Sequence, residues 1–385
     1  MIKGTYIFSQ DGKEIFRQTN VITKFGKRYF TGYLAGNSVS PARDMAFGVD
    51  RSEVLVTAAS ASAGTITYTG RNYFASGDVV SIYGLSTTAF NLSNATVASA
   101  TSTQFTVTNS ATGTSVSNST SGRAFRKASE NDTRLGFEFY RLPVSLSSVD
   151  IQTSGTTSSY AVVYKATLPQ DVAGLVSEIG IYPSIRSSVV NYDSKFLADF
   201  YDALDWKNAD GYNPAYSTTN SRVGSSSLVF DSNSTSAQEY YSVVSLDLSG
   251  YSLQDTVKLA YYKNDNNLDK IKIKIYSANG SYYSYDHTPQ AGSGYKISQD
   301  ILISDLINSY TGTSAPDLTN IVKLGFEIYP TSGNTTSVDM DGFRINDVDT
   351  FDPIYGMLSR ATLQTPLEKL VGRSVDVEYR IDIGF

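Results

Sequence analysis

The stretch that decides the fold lies near the end of the chain and reads SVDVEYRIDI, from Ser374 to Ile383. Apolar and polar residues alternate along it, which predicts a strand with one buried face and one wet face. Residues 4–8 and 14–18 alternate in the same way on either side of Asp11-Gly12, and Asp-Gly between alternating runs is a strong hairpin signal. We therefore expect the closing strand to fold back beside the opening hairpin.

Other segments resemble this first block. Residues 21–35 carry the apolar spacing of an amphipathic helix, with Asn20 or Thr23 as N-cap and Gly36 as the stop. Residues 137–142, 160–168 and 176–182 alternate like strands. Because domains are inserted most readily at exposed loops, the pattern predicts one discontinuous base domain with two inserted modules. Its predicted pieces are residues 1–50, 129–195 and 348–385.

Residues 51–128 hold few charges and many Ser, Thr and Ala residues, which predicts a small inserted β module. Its strands are expected near residues 65–69, 78–83, 95–98 and 104–108. Disorder is the alternative for a Ser/Thr-rich stretch. The alternating pairs Ile66/Tyr68 and Val80/Ile82 favour a folded module.

Residues 196–347 form a third block with long alternating strands, such as Lys270 to Ile275, which reads KIKIKI. Eight or more strands in about 150 residues predict a jelly-roll sandwich. The predicted fold class of the chain is therefore all-β and multi-domain, with β-sandwiches, a jelly-roll insert and one short helix near the N-terminus.

The composition of the 385 residues excludes several classes of function. The chain has no cysteine and a single histidine, so disulfides, thiolate metal sites and most histidine chemistry are excluded. Its net charge of −6 leaves no electrostatic footprint for nucleic acid. No apolar run approaches the ~20 residues that would span a membrane, so no membrane insertion is expected. The N-terminus lacks the pattern of a secretory signal, so we expect the protein to begin at Met1 and to be made in a cytoplasm.

The segments assigned to the base resemble a recurring family of bacteriophage tail and virion structural proteins. The resemblance covers about 150 residues, and it is carried by residues 20–27, 44–49, 131–138 with 141–144, 176–182 and 375–379. It implies a tail-fibre or baseplate component that contacts other virion proteins, is assembled in the host cytoplasm and resides in the virion tail. It also implies a symmetric homo-oligomer, with a trimer expected.

The third block resembles carbohydrate-binding modules of jelly-roll form. The matching residues are Asp199-Phe200 with Trp206, residues 224–229 and residues 338–345. This resemblance implies a host-surface polysaccharide as partner. It also implies a possible structural calcium ion. The ion would be held by Asp199 or Asp202 on the opening strand together with Asp339 or Asp341 on the closing strand. No other cofactor is expected. The cluster Asp265 to Asp269 is an alternative, although Asn/Asp clusters usually mark turns.

A sugar site needs aromatic rings to stack on pyranose faces and polar groups to bind hydroxyls. Neighbours on a strand point to opposite faces, so only one residue of each Tyr–Tyr pair can face a groove. In Tyr283-Ser284-Tyr285 the two rings share a face and could form a platform; sheet packing is the competing interpretation. For Trp206 the competing interpretation is a core position. The predicted glycan-binding residues are Trp206, Tyr241, Tyr262, Tyr283 and Tyr285, chosen from a wider set that includes Tyr240, Tyr261 and Tyr282.

No catalytic site is expected. His287 lies in a turn-like stretch with no nucleophile motif beside it, and chance alone supplies carboxylate pairs among 37 acidic residues. The predicted function is a non-enzymatic tail appendage that recognises host glycan. The alternatives are a capsid, collar or neck decoration protein with a packing role, and a polysaccharide-degrading tailspike. The tailspike predicts a parallel β-helix, but the sequence shows no repeat of the required period.

Overall fold

The structure is a computed structural model. It describes residues 2–36, 42, 44–50, 54–70, 72, 74, 76–101, 103–110, 113–154, 157–183, 196–232, 236–289, 293–346 and 356–383. Numbered in chain order, these residues form 31 strands and the helices α1 (Lys24–Leu34) and α2 (Ile303–Leu306), so the protein is all-β as predicted. Single 3-10 turns occur at Thr88–Phe90 and Ala203–Asp205. No helix in the described ranges is long and apolar enough to cross a membrane.

Two five-stranded antiparallel sheets form a unit that we call the base. In spatial order the first sheet contains β14 (Ser145–Ser154), β15 (Thr157–Leu168), β31 (Val375–Ile383), β1 (Ile2–Gln10) and β2 (Lys13–Thr19). The second contains β13 (Phe137–Pro143), β4 (Asp44–Val49), β16 (Gly174–Tyr182), β30 (Ser359–Lys369) and β3 (Val21–Ile22). One apolar core, including Phe8, Phe47 and Ile179, lies between them.

The closing strand β31 lies in the middle of the first sheet, paired with β1 on one side and β15 on the other. Tyr379 is opposite both Tyr6 and Tyr164, and its ring stacks on that of Tyr6 with 4.6 Å between centroids. The Tyr6 hydroxyl reaches across the core to Ser359 Oγ at 2.8 Å. The expected pairing of the closing strand with the opening hairpin is thus present, while the domain boundaries stay a prediction.

The turn and cap signals have identifiable roles. Asp11 and Gly12 both have positive φ, 51° and 73°, which is the geometry of the tight turn that joins β1 to β2. Of the two candidate caps of α1, Thr23 is the one used, because its Oγ1 accepts a hydrogen bond from the Gly26 amide at 2.9 Å. Asn20 instead donates to the Tyr379 hydroxyl at 2.9 Å. The helix is shorter than expected because residues 21–22 pair with β30.

Arg360 lies buried at the point where the chain leaves the base at Asp50 and returns near Asp132. Its guanidinium contacts Glu178 at 2.5 Å, Asp132 at 2.8 Å and Asp50 at 3.3 Å. Burial raises the pKa of Glu178, with a further contribution from Asp50, and Arg360 opposes the rise. The two ends of the segment between Asp50 and Asp132 are therefore held by one cation of the base.

An eight-stranded sheet lies between these two ends, and we call it the insert module. In spatial order it contains β11 (Ser115–Val116), β6 (Ala58–Ser62), β7 (Thr65–Thr69), β10 (Gln104–Thr108), β9 (Ala95–Ala100), β8 (Val79–Tyr83), β12 (Gly122–Arg126) and β5 (Val54–Val56). Ile66, Tyr68, Val80 and Ile82 are buried in its core. The four strands predicted here are all present, so these stretches are folded.

The described residues between 196 and 346 form a sandwich of two antiparallel sheets, which we call the third block. The docking sheet contains β19 (Ala215–Ser217), β20 (Ser227–Ser232), β29 (Thr336–Asn346), β22 (Thr256–Lys263) and β25 (Gly294–Ile297), with β17 (Phe196–Ala198) and β26 (Ile301–Leu302) attached. The outer sheet contains β18 (Trp206–Asn208), β21 (Gln238–Leu246), β28 (Ile321–Pro330), β23 (Leu268–Ser277), β24 (Tyr282–His287) and β27 (Tyr310–Thr311). A large apolar core fills the space between them.

The docking sheet packs its outer surface against the base. Lys258 Nζ donates to the carbonyl of Gly136 at 2.8 Å and pairs with Asp300 at 3.1 Å. Arg344 donates to the carbonyl of Glu138. A Cβ at Gly342 would lie 2.9 Å from the Phe137 ring, so only glycine allows the base to approach β29 this closely. The outer sheet is therefore the side of the third block that lies away from the base.

Candidate functional site

The outer surface of the outer sheet carries four half-buried tyrosines from four strands, and we call it the tyrosine face. In β23 the isoleucines 271, 273 and 275 point into the core, so the residues that alternate with them point outward. Tyr276 belongs to this outward set and lies opposite Tyr282 of β24. The face contains Tyr241, Tyr276, Tyr282 and Tyr329 with Lys270, Lys272, Lys274, Lys323, Glu239, Glu327 and Asp286.

A charged network fixes the middle of this face. Lys274 Nζ contacts Glu239 at 2.8 Å and Glu327 at 2.9 Å, and the Tyr276 hydroxyl donates to Glu239 at 2.6 Å. Burial would lower the pKa of Lys274, but the two glutamates outweigh it and raise the pKa above its usual value. Burial, followed by the hydrogen bond to Glu239, raises the pKa of Tyr276. The lysine therefore stays charged and the tyrosine stays a neutral donor across the physiological range.

Gly325 leaves a depression at the centre of the tyrosine face. It pairs with Tyr241 on one side and Lys274 on the other. A Cβ here would lie 2.5 Å from Glu239 Oε1 and 3.2 Å from the Tyr276 ring. A larger residue would therefore make the Glu239 carboxylate shift, so glycine leaves the room in which this carboxylate meets Lys274 and Tyr276.

Lysine side chains lie over the rings of the face. Lys323 Nζ is 3.6 Å from the centroid of the Tyr276 ring, and Lys270 Nζ is 4.4 Å from that of Tyr329. The rings Tyr276 and Tyr282 also contact each other, with centroids 4.7 Å apart. These contacts hold the rings in place beside charged donors and acceptors. A surface of this composition offers both stacking and hydrogen bonds to a hydroxyl-rich ligand.

The structure divides the predicted glycan-binding residues among three places. Tyr241 lies on the tyrosine face, where Lys323 approaches its ring at 4.9 Å. Tyr283 and Tyr285 do share a face, but it is the inner one, opposite the core residues Ile275 and Ile273. Tyr283 is 8% exposed and donates to the carbonyl of Pro316, while Tyr285 packs against the core. In β24 the odd-numbered residues from Tyr283 to His287 point inward. The platform predicted from these two rings therefore lies inside the sandwich.

Trp206 and Tyr262 lie elsewhere. Trp206 is 3% exposed and packs against Phe200, Phe230 and Phe326, so its ring faces are occupied by the core. This corrects its assignment as a sugar contact. Tyr262 is half-buried on the docking sheet, opposite Tyr295, and lines a cleft beside the insert module.

The predicted calcium ligands do not fit a calcium site. Asp339 accepts from the side-chain amides of Asn220 and Asn264, at 2.8 and 2.5 Å. Asp341 accepts from two backbone amides and from the hydroxyls of Ser221 and Tyr295. Calcium binds six to eight oxygen atoms, whereas these carboxylates are surrounded by hydrogen-bond donors. Within the described ranges no three His, Asp or Glu side chains form a metal-binding group.

The other two candidate ligands, Asp199 and Asp202, are exposed and stabilise turns. Asp199 accepts from the Tyr201 amide at 3.2 Å, and Asp202 accepts from the Leu204 amide at 2.8 Å. Asp265, in the alternative cluster, likewise accepts from the amides of Asn267 and Ser337. Each of these carboxylates thus has a local structural role.

His287 is buried at the end of β24, whereas the sequence predicted a loop position. Its Nε2 lies 3.0 Å from the Tyr261 hydroxyl. Burial lowers the pKa of His287 to about 4. The imidazole is therefore neutral near pH 7 and serves as a hydrogen-bonding group of the sandwich.

Sequence reasoning did not select Tyr276 or Tyr329, and it set Tyr282 aside. The signal for Tyr276 was present, because it has the same parity as the three lysines of the KIKIKI strand. Tyr329 lies opposite Lys270, which only the register of β28 reveals. The tyrosines of the face come from four different strands, so the pairing of these strands brings them together and no local motif does.

Neither a protein-family model nor a curated protein sequence matches the chain. Among solved structures, the family 11 carbohydrate-binding module of a Clostridium thermocellum cellulase matches 40% of this chain and 94% of its own length, at 18% identity and a TM-score of 0.30. An exo-beta-agarase matches over 40% of this chain and 25% of its own, at 15% identity and a TM-score of 0.32. The enzymatically active domain of bacteriophage CBA120 tailspike protein 4 matches over 39% and 20%, at 9% identity and a TM-score of 0.26. This chain spans a quarter or less of the last two.

Proposed function

We propose that this protein is a non-enzymatic adhesion component of a bacteriophage tail, and that its tyrosine face binds a host-surface glycan. The observation that carries the proposal is the position of that face. Four tyrosine rings, fixed by lysines and glutamates, lie on the sheet that points away from the base. The surface that the base leaves uncovered is thus the one with the chemistry to bind sugar.

The attachment role is supported by the base. Its segments resemble phage tail and virion structural proteins in sequence, and charged and apolar contacts hold the third block firmly against it. A rigidly held module presents its binding face in a fixed direction. In the homotrimer that the resemblance implies, several weak sites would act together on one polysaccharide surface. The proposal needs no metal or other cofactor.

The acidic residues of the tyrosine face support binding over catalysis. Glu239 and Glu327 both contact the ammonium of Lys274, and Glu239 also accepts from Tyr276. A glycosidase needs one carboxyl group to donate a proton to the leaving oxygen. These two carboxylates share one lysine, and the third acid of the face, Asp286, pairs with Lys270 at 2.7 Å, so all three are placed as cross-links of a surface. We accordingly expect no release of reducing ends from host polysaccharide.

The test is binding of the full chain to host cells and to a glycan array, with variants Tyr282→Ala and Tyr329→Ala. Each loses a ring on the tyrosine face, so the apparent affinity is expected to fall about tenfold. Tyr212→Ala is the matched control, because Tyr212 is 71% exposed and lies on a loop outside the face. Equal binding by all four proteins, with melting temperatures unchanged, would refute the glycan site.

Labelling the chain in intact virions tests the location. A signal at the tail supports the adhesion role. A signal spread over the capsid or at the collar would replace the proposal with a decoration role, in which the modules pack on neighbouring proteins.

A further inference from the structure

A cleft of about 520 Å³ lies between the insert module and the third block. One wall comes from the insert module and includes Thr57, Thr69 and Arg123. The other comes from the docking sheet and its loops and includes Arg222, Tyr262 and Lys296. We propose that this cleft binds a segment of an anionic polysaccharide. The site is separate from the tyrosine face, which belongs to the other sheet.

The charge of the lining is the first argument. Arg123 and Arg222 line the cleft from its two walls, and no Asp or Glu is among the described residues that do. Lys296 also borders the cleft, but it is paired with the core residue Tyr261, so its side chain points to the other face of the docking sheet. The whole chain carries a net charge of −6, so a cleft lined by two arginines and no acid departs from the average surface. Two buried carboxylates lie next to the lining and already have donors: Asp341 accepts from backbone amides and the Tyr295 hydroxyl, and Asp339, opposite Tyr262, accepts from Asn220 and Asn264. Cations that converge on a cleft favour an anionic ligand.

The arginines are held in place. The Arg222 guanidinium lies over the Tyr295 ring, 4.5 Å from its centroid, and the Tyr295 hydroxyl donates to Asp341. Arg123 is anchored through Nη1, which donates to the carbonyls of Thr120 and Gly122 at 3.1 and 3.0 Å. Held guanidinium groups lose little freedom when they bind a carboxylate or a phosphate.

The rest of the lining suits a sugar. Tyr262 is half-buried beside Gly294 and Tyr295 and offers an aromatic ring to a pyranose face. Hydroxyls come from three threonines and a serine of the lining: Thr57, Thr69, Thr103 and Ser293. The volume falls in the range of small-ligand sites, about 300–1,000 Å³. Aromatic, hydroxyl and cationic groups together match a saccharide that carries acid groups.

A nucleic acid is a poorer match. Recognition of its backbone needs rows of cations spaced along many phosphates, whereas this cleft has two arginines in a confined volume. Because the ligand would touch both walls, it would also fix the insert module relative to the third block.

The experiment measures binding of the full chain to three oligosaccharides of similar length. They are an oligogalacturonate, a glycerol-phosphate oligomer and neutral maltohexaose. We expect the acidic oligomers to bind, maltohexaose not to bind at this site, and affinity to fall as NaCl rises from about 0.05 to about 0.5 M. The two acidic probes distinguish carboxylate from phosphate as the preferred group.

Arg123→Gln is expected to weaken acidic binding about tenfold, because it removes a charge-assisted contact while keeping a hydrogen-bonding side chain. Tyr262→Ala tests the aromatic wall in the same way. Arg28→Gln, an exposed position on α1, makes the same chemical change away from the cleft and should bind like wild type. Tyr282→Ala should also bind normally, which separates this site from the tyrosine face.

Three results would overturn the proposal: acidic binding that Arg123→Gln leaves intact, equal binding of maltohexaose, or tighter binding of a single-stranded oligonucleotide that is lost with Arg123→Gln. Melting temperatures of all variants show that a loss of binding is not a loss of fold.

Discussion

At the scale of single residues, the buried Arg360 determines how the base is held together. Three carboxylates from separate parts of the chain converge on one guanidinium, which is only 2% exposed. Removing one partner from such a cluster leaves uncompensated charges in a medium that solvates them poorly. This role could not be predicted, because Arg360 is the second residue of β30 and its three partners are distant in sequence.

Arg360→Met is expected to reduce the free energy of unfolding by about 3–5 kcal/mol. Arg17→Met is the matched control, because Arg17 pairs with Glu14 at an exposed position, so its loss should change the free energy of unfolding far less. Urea unfolding measures both. Adding Glu178→Gln to Arg360→Met should recover part of the loss, and equal losses in the two single variants would contradict a structural role for the cluster.

His287 makes the stability of the third block depend on pH. Its pKa is about 4 in the folded protein and near 6.5 when unfolded, so the unfolded state binds the proton first as the pH falls. The free energy of unfolding therefore falls as the pH is lowered from about 6.5 to about 4, and the total decrease is about 3 kcal/mol. His287→Gln keeps a partner for Tyr261 and does not titrate.

The stability advantage of wild type over His287→Gln should therefore shrink by about 3 kcal/mol between pH 7 and pH 4. Chemical unfolding at several pH values gives this difference. Other carboxyl groups titrate in the same range, but they are common to both proteins and cancel. A difference that does not vary with pH would show that the histidine is accessible to protons when folded.

At the scale of elements, alternation and turn chemistry predicted most strands, because both signals are local. The face that each strand buries was harder to predict. In Tyr282-Tyr283-Ser284-Tyr285 either parity is consistent with a strand, and only the pairing with β23 puts Tyr283 and Tyr285 inside. Tyr276 could have been assigned to the solvent-facing side from the sequence, because it continues the every-second-residue spacing of Lys270, Lys272 and Lys274.

The central position of β31 leads to a prediction about proline. Glu378 pairs with β1 and β15, whereas Ile15 lies on the edge strand β2 at an irregularity of the ladder. Glu378→Pro should abolish soluble folded protein or reduce the free energy of unfolding by about 3 kcal/mol or more, because a central strand uses its amides. Ile15→Pro should reduce it by about 1 kcal/mol at most.

Circular dichroism during urea unfolding distinguishes these two variants. If both were equally stable, the closing strand would not lie between two neighbours in solution, and the arrangement of the base would be wrong.

At the scale of the whole molecule, the docking of the third block could not be predicted from the sequence. Lys258 and Arg344 alternate with apolar residues, so they look like wet positions of a strand. Both are in fact under 8% exposed, because the base covers them and supplies carbonyl and carboxylate partners. Contacts between distant parts of the chain leave no periodic signal.

The connection of the insert module leads to a prediction about deletion. Replacing residues 54–126 with a short Gly-Ser linker should leave the rest of the chain folded, because Asp50 and Asp132 already meet at Arg360. Calorimetry should show a melting temperature within a few degrees of wild type. The matched control replaces residues 145–168, which removes β14 and β15 from a sheet of the base, and it should not fold.

The contacts of Arg360 close the base at the point where the insert module is attached. Because the guanidinium holds Asp50 and Asp132 together, the base does not need the insert module to keep these two residues in place. A different folded domain could therefore be placed between Asp50 and Asp132 while the two sheets of the base keep their arrangement.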